Sequence, residues 1–385
     1  MTPTPFWYYI IRTCKNMDQV TDKQALLSVL YNRDVWGKIK SEMYPGKIAR
    51  NWYEWNGTGD VAASNGYLFI MTERHHLEYT QSAMNWAAEN GHLEVVKFLH
   101  NNRSEGCTTD AMDFAAGNGH LEVVKFLQEN RTEGCTGKAM KLAALGSHLE
   151  VIKYLHLQGK RLSKGAMDLA AAKGHLRVVK FLHYNSTEGC TTGAMDSAAR
   201  FGKLRMVKWL HRNRTEGCTS AAMDSAASNG FLGTVLWLHK NRKEGCTSMA
   251  IDGSAANGHF EVVRWLSLNR KEGCTTFAMD KAAANGDLRM LRWLNFYTSQ
   301  GCTTDAMDMA AWVGRLDVLC WLEENRKEGF THKAIEYAAA GGHFEIVKWL
   351  YKRGRNFRVR RVIKAAREWG YYHIEAWVKN EEGLR

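Results

Sequence analysis

The stretch Cys107–Leu127, CTTDAMDFAAGNGHLEVVKFL, returns with small edits almost to the C-terminus. Its first alanine recurs as Ala83, Ala111, Ala139, Ala166, Ala194, Ala222, Ala250, Ala278, Ala306 and Ala334, every step being 28 residues except one of 27. A fixed period of this length marks a stack of supersecondary units, none of which buries its apolar face alone.

Each copy reads as two helices. Thr108 is a good N-cap, because its hydroxyl accepts a hydrogen bond from an unpaired first-turn N–H, and its column holds Thr80, Thr136, Ser163, Thr191, Thr219, Thr247, Thr275, Thr303 and Thr331. A first helix therefore starts there. Gly119 and its column suit a left-handed residue that ends this helix and turns the chain. The second helix is expected from about Leu121 to about Leu127. Ala115 and Ala116 lack bulk, so neighbouring helices approach closely, while Met112, Leu121, Val124, Phe126 and Leu127 supply apolar contact at helical spacing.

AMDFAA followed by GHLEVVKFL resembles the ankyrin repeat, T-P-L-H-x-A-A followed by G-H-x-x-I-V-x-x-L-L, with Ala111 at the proline position and Asp113 at the histidine position. The resemblance covers Thr80 to Leu350, about 270 of 385 residues. It departs from the family in period, 28 residues here against about 33, and in lacking the proline in every copy. The shortening is assigned to the β-hairpin finger between repeats. This short, Cys-containing form resembles the ankyrin arrays of oomycetes and other protists. The resemblance implies an all-α, ankyrin-type helical solenoid of about ten 28-residue helix-turn-helix repeats with degenerate caps.

The domains follow from where the repeat fades. Residues 1–53 form a non-repeating helical segment, and 54–79 a degenerate capping repeat in which Ala62, Ala63, Asn65 and Gly66 echo the motif. The array occupies 80–350, and 351–385 form a basic C-terminal cap in which Ala365, Ala366 and Gly370 echo it again. Terminal repeats present a polar outer face, so degeneracy there is expected.

With 45% hydrophobic and 24% charged residues the chain has ample material for a continuous core. No apolar run approaches the roughly 20 residues that cross a bilayer, and FWYYII near the start is too short for a signal segment. These features read as an intracellular protein, cytoplasmic or nuclear, a monomer without membrane insertion. Seven of the nine cysteines share one column, one repeat apart. Stacked helices lie about 8–10 Å apart, whereas a disulfide needs Cα atoms within about 7 Å, so the column is read as reduced thiols and no metal site is expected. No P-loop, G-x-S-x-G or H-E-x-x-H occurs, and no catalytic residue or cofactor is expected.

Regular columns are assigned to framework. The series from Phe98 and Phe126 to Trp321 and Trp349 is read as core packing, and the Asp113 and Arg103 columns as one charge network between repeats. Variable columns are the candidates for function. The position three after the marker alanine includes Trp86, Phe114, Leu142, Leu169, Lys281, Met309 and Tyr337, and the one before it includes Met249 and Phe277. Trp312 is large where other copies are mostly small or polar. The resemblance places such positions on the concave groove that contacts partners, which implies a non-enzymatic module binding a protein partner there. An alternative is nucleic-acid or polyanion binding through Lys352, Arg353, Arg355, Arg358, Arg360 and Arg361. These belong to a segment, residues 351–385, with ten Lys or Arg against four Glu. A further alternative is a ubiquitin-ligase adaptor role for the N-terminal segment.

Overall fold

The computed structural model describes residues 57–74, 76–353 and 357–384. The segment 1–53, with the adaptor role assigned to it, and Arg355 lie outside the described residues. Among the described residues the chain is all-helical, with 24 α-helices and no strand. The expected hairpin finger is thus a bend leading directly into the next capping threonine.

The described residues divide into two compact units, one running up to Ala115 together with His120–Cys135, the other made of Ala116–Gly119 and the residues from Thr136 on. The first contains α1 (Gly59–Ser64), α2 (Leu68–Glu73), α3 (Gln81–Glu89), α4 (Leu93–Asn102), most of α5 (Thr109–Gly117) and α6 (Leu121–Asn130). The second begins with α7 (Gly137–Leu145), α8 (Leu149–Leu157), α9 (Lys164–Lys173), α10 (Leu176–Asn185), α11 (Thr192–Arg200) and α12 (Leu204–Asn213). It continues through α13 (Ser220–Ser228), α14 (Leu232–Asn241), α15 (Met249–Ala256), α16 (Phe260–Asn269), α17 (Thr276–Ala284) and α18 (Leu288–Tyr297). It ends with α19 (Asp305–Trp312), α20 (Leu316–Asn325), α21 (His332–Ala340), α22 (Phe344–Arg353), α23 (Val359–Glu368) and α24 (Tyr372–Glu381).

The expected caps are formed except at Ser163, whose side chain makes no capping hydrogen bond. Thr191 Oγ1 accepts from Gly193 N at 3.0 Å, and Thr80, Thr136, Thr219, Thr275 and Thr331 cap their helices in the same way. The turn glycines have φ between 65° (Gly202) and 83° (Gly174). Ser147 holds the same turn at φ 67°. A side chain in this left-handed region costs about 1–2 kcal/mol, partly recovered through the stiffer unfolded chain. Ser147→Gly is therefore expected to stabilise the protein by about 0.5–1 kcal/mol, seen as a higher urea midpoint with an unchanged slope.

The core is a layered stack. Consecutive first helices of the second unit, from α7 through α9 to α21 and α23, pack against one another. Their alanine pairs, such as Ala198 and Ala199 or Ala310 and Ala311, are fully buried and allow the close approach. Second helices run three residues further than expected, to Asn130 in α6. They bury Val–Val–Leu triplets such as Val178, Val179 and Leu182, each side chain contributing about 1.5–3 kcal/mol. The aromatic ladder is not core. Trp209, Trp237 and Trp265 are only half-buried, meeting His183, His211 and His239 of the preceding repeat edge-on at centroid distances of 5.3, 5.1 and 5.0 Å. The leucine beside each ring takes the interior position, which leaves the ring lying along the outer surface.

Candidate functional site

The framework columns account for their own polar atoms, and this isolates the residues left for function. Asp168 accepts from Thr191 N at 2.9 Å and from Thr191 Oγ1 at 2.7 Å. The same pair joins Asp196 to Thr219, Asp224 to Thr247, Asp252 to Thr275, Asp280 to Thr303 and Asp308 to Thr331. The threonine thus donates to the preceding repeat while accepting from its own helix. In the first unit Asp60 serves Thr80, and Asn85 serves Thr108 through its carbonyl at 2.9 Å and its amide at 3.0 Å.

The arginine column belongs to a separate device, not to a joint network with the aspartates. Arg131, Arg214, Arg242, Arg270 and Arg326 each pair with the glutamate two residues on. Glu216 Oε1 also accepts from Cys190 N of the preceding repeat at 3.1 Å. The Arg214 guanidinium holds the Glu216 carboxyl down at about 2, while burial, aided by the Glu216 charge, pushes the Cys190 thiol up to about 12. Each of the eight cysteines among the described residues is a free thiol. The buried column members are poor nucleophiles, because the thiolate that would react is disfavoured. The glutamates and the glycines before the cysteines are framework that the reading from sequence passed over, although the recurrent Glu-Gly-Cys triplet marks both. The histidine column caps the previous first helix. His175 Nε2 donates to Leu145 O at 3.0 Å and His343 Nε2 to Trp312 O at 3.0 Å.

Of the candidate groove residues, six lie on four consecutive first helices of the second unit. Met249 starts α15, Phe277 and Lys281 lie on α17, Met309 and Trp312 on α19, and Tyr337 on α21. Met249 is 66% exposed, Phe277 46% and Trp312 39%. Trp312 and Tyr337 meet edge to face at 5.4 Å with an interplanar angle of 79°, and Lys281 Nζ lies 5.1 Å from the centre of the Phe277 ring. Leu142 on α7 and Leu169 on α9 are half-buried, and after them their column narrows to Ser197, Ser225 and Gly253 before Lys281. Trp86 and Phe114 are exposed in the first unit.

Among the described residues the basic C-terminal cluster does not converge. Arg353 Nε donates to both oxygens of Glu323 at 2.7 and 2.9 Å and lies over Trp349 at 4.1 Å. Arg361 lies 4.0 Å from Glu336. Lys352, Arg358 and Arg360 are exposed. A cavity of about 700 Å³ beside them is lined by Lys348, Tyr351, Lys352 and Trp377, but also by Glu381 and Glu382. Tyr351 donates to Glu382 Oε1 at 2.6 Å. Carboxylates in that wall oppose a polyanion.

Among the described residues no helix is long and apolar enough to cross a membrane. No curated protein matches the chain. The family model described as Ankyrin repeats (many copies) matches residues 84–128, 167–211 and 249–294. Those three segments take in helix pairs built on the same capped first helix, left-handed turn and apolar second helix, and the chain is an ankyrin-repeat protein.

Proposed function

We propose that the chain is a non-enzymatic protein-interaction module that holds its partner on the first-helix face, the concave side in ankyrin arrays, with its hot spot at Met249, Phe277, Lys281, Met309, Trp312 and Tyr337. Ankyrin repeats generally mediate protein–protein interaction. The observation that carries the choice of face is the set of apolar and aromatic side chains on α15, α17, α19 and α21, with Met249, Phe277 and Trp312 exposed, Met309 and Tyr337 half-buried, and Trp312 and Tyr337 in contact. The neighbouring aspartate, threonine and histidine columns are already committed to the stack. Leu142 and Leu169 extend the surface along α7 and α9, and Trp86 and Phe114 supply anchors in the first unit.

Truncation separates this reading from a purely structural one. Partners captured from the source cell and identified by mass spectrometry are to be titrated against Trp312→Ala and Tyr337→Ala. Each variant is expected to lose at least about 2 kcal/mol of binding while its stability moves by about 1 kcal/mol or less. Lower stability with unchanged affinity of the folded fraction would assign the pair to packing and defeat the proposed face.

A further inference from the structure

All of the chain's net charge of +12 resides in two stretches. One is the C-terminal segment. The other, Lys164–Arg212, carries nine Lys or Arg against three Asp or Glu. Two of those acids, Asp168 and Asp196, are held by Thr191 and Thr219.

Part of this charge arises from one column. The second residue of the second helix is Glu94, Glu122, Glu150, Glu261 or Glu345 in other copies. Each pairs with the cation three residues on, at 2.8 Å for Lys97, 2.7 Å for Lys125 and Lys153, 3.3 Å for Arg264 and 2.9 Å for Lys348. In α10 and α12 that residue is Arg177 and Arg205, while Lys180 and Lys208 keep their places. These four cations have no ion pair among the described residues. A third arginine in the column, Arg289, is accounted for within the fold, pairing with Glu261 at 3.1 Å and lying over Phe260 at 3.7 Å. Placing cations at the positive ends of α10 and α12 is locally unfavourable, so the fold gains nothing from them.

Aromatic rings stand in the same turns. Phe201 occupies the column of Asn90, Asn118, Asn229, Asn257 and Asn285, is 48% exposed, and lies beside Arg200, whose guanidinium is 5.7 Å from the ring centre. Phe231 takes the place of the capping histidine and gives up its hydrogen bond to the previous helix. Its ring, 37% exposed, covers Gly202, where an added Cβ would stand 2.6 Å from it. Lys173, Arg200 and Lys203 surround these turns and are all exposed.

We infer that this surface binds single-stranded nucleic acid. Arg177, Lys180, Arg205 and Lys208 hold phosphates in two rows one helix layer apart, about 10 Å, and Phe201 offers its face to a base. An acidic peptide would satisfy the cations but leave the exposed rings without a partner, whereas a backbone-plus-base ligand uses both. The surface shares no residue with the groove proposed above or with the C-terminal cluster.

The test uses the full chain and fluorescein-labelled oligouridine and oligothymidine of about 16 nucleotides, read by anisotropy over a salt series. The double variant R177E/R205E installs the residue that neighbouring copies carry and so preserves the fold, which thermal melting checks. It is expected to weaken binding by about tenfold or more and to flatten the salt slope by about 1.4. F201N, again the neighbours' residue, is expected to lose affinity with little change in slope. Absence of binding by the natural sequence at about 50 mM salt would overturn the inference, as would unchanged affinity in R177E/R205E. So would loss of binding in R358E/R360E alone, or tighter binding to polyglutamate or anionic vesicles than to the oligonucleotides.

Discussion

Asp308→Ala is expected to cost about 3 kcal/mol of stability, because the side chain it removes is 1% exposed and serves two donors of the next repeat. Thr331 N donates to it at 2.8 Å and Thr331 Oγ1 at 2.5 Å. Hydrogen bonds to an ionised acceptor contribute about 1.5–3 kcal/mol, and stranding a part-buried N–H adds a desolvation cost. The threonine hydroxyl, no longer anchored, also caps α21 less well. Asp308→Asn should cost about 1 kcal/mol or less, because Asn85 already shows that an amide can serve both atoms of Thr108, accepting at 2.9 Å and donating at 3.0 Å. Urea titration of the two variants decides the matter. An alanine cost no larger than that of asparagine would mean that Thr331 finds another partner and that the column is not what joins the repeats.

Gly301→Ala is expected to cost about 2–3 kcal/mol, and Gly273→Ala only about 1, although the two glycines occupy one column with φ of 70° and 69°. The shared part is the left-handed backbone. The difference lies in what a methyl group would meet. At Gly301 a Cβ would stand 2.0 Å from Arg326 Nη2 and 3.0 Å from Glu328 Oε1, whereas at Gly273 nothing lies within 4 Å. The guanidinium can move only by leaving Glu328, whose carboxylate also accepts from Cys302 N at 3.4 Å. Equal midpoint shifts for the two variants would show that the Arg–Glu clamp yields freely and that backbone strain alone is being measured.

The helix pairs, their caps and their turns were legible because each requirement falls on one residue and recurs in its own column. Partnership between columns was not. The regularity of Asp168 and Arg214 shows that both are needed, but not that the first meets Thr191 and the second Glu216, since a column carries no record of the surface it faces. For the same reason Trp209 reads as core beside Leu210, although only the leucine is buried. The Trp312–Tyr337 contact escapes a column-by-column reading because it joins the last residue of α19 to the middle of α21, two different columns. Arg177 and Arg205 do not stand out in the sequence, because each is a single changed position in an otherwise regular copy.

The Asp–Thr junction has a consequence for how such a gene can lengthen or shorten. From Asp168 to Thr331 each junction joins a carboxylate of one copy to the threonine of the next, so within that stretch any one copy's leading edge fits any other's trailing edge. Excising or duplicating one 28-residue period between Asp168 and Thr331, wherever the cut begins, rejoins matching edges and leaves no junction unserved. Removal of half a period would set a second helix against the next capping threonine and strand its donors. Unequal recombination between near-identical copies thus yields chains that differ in copy number but not in junction chemistry, and variation in length becomes tolerable where variation in phase is not.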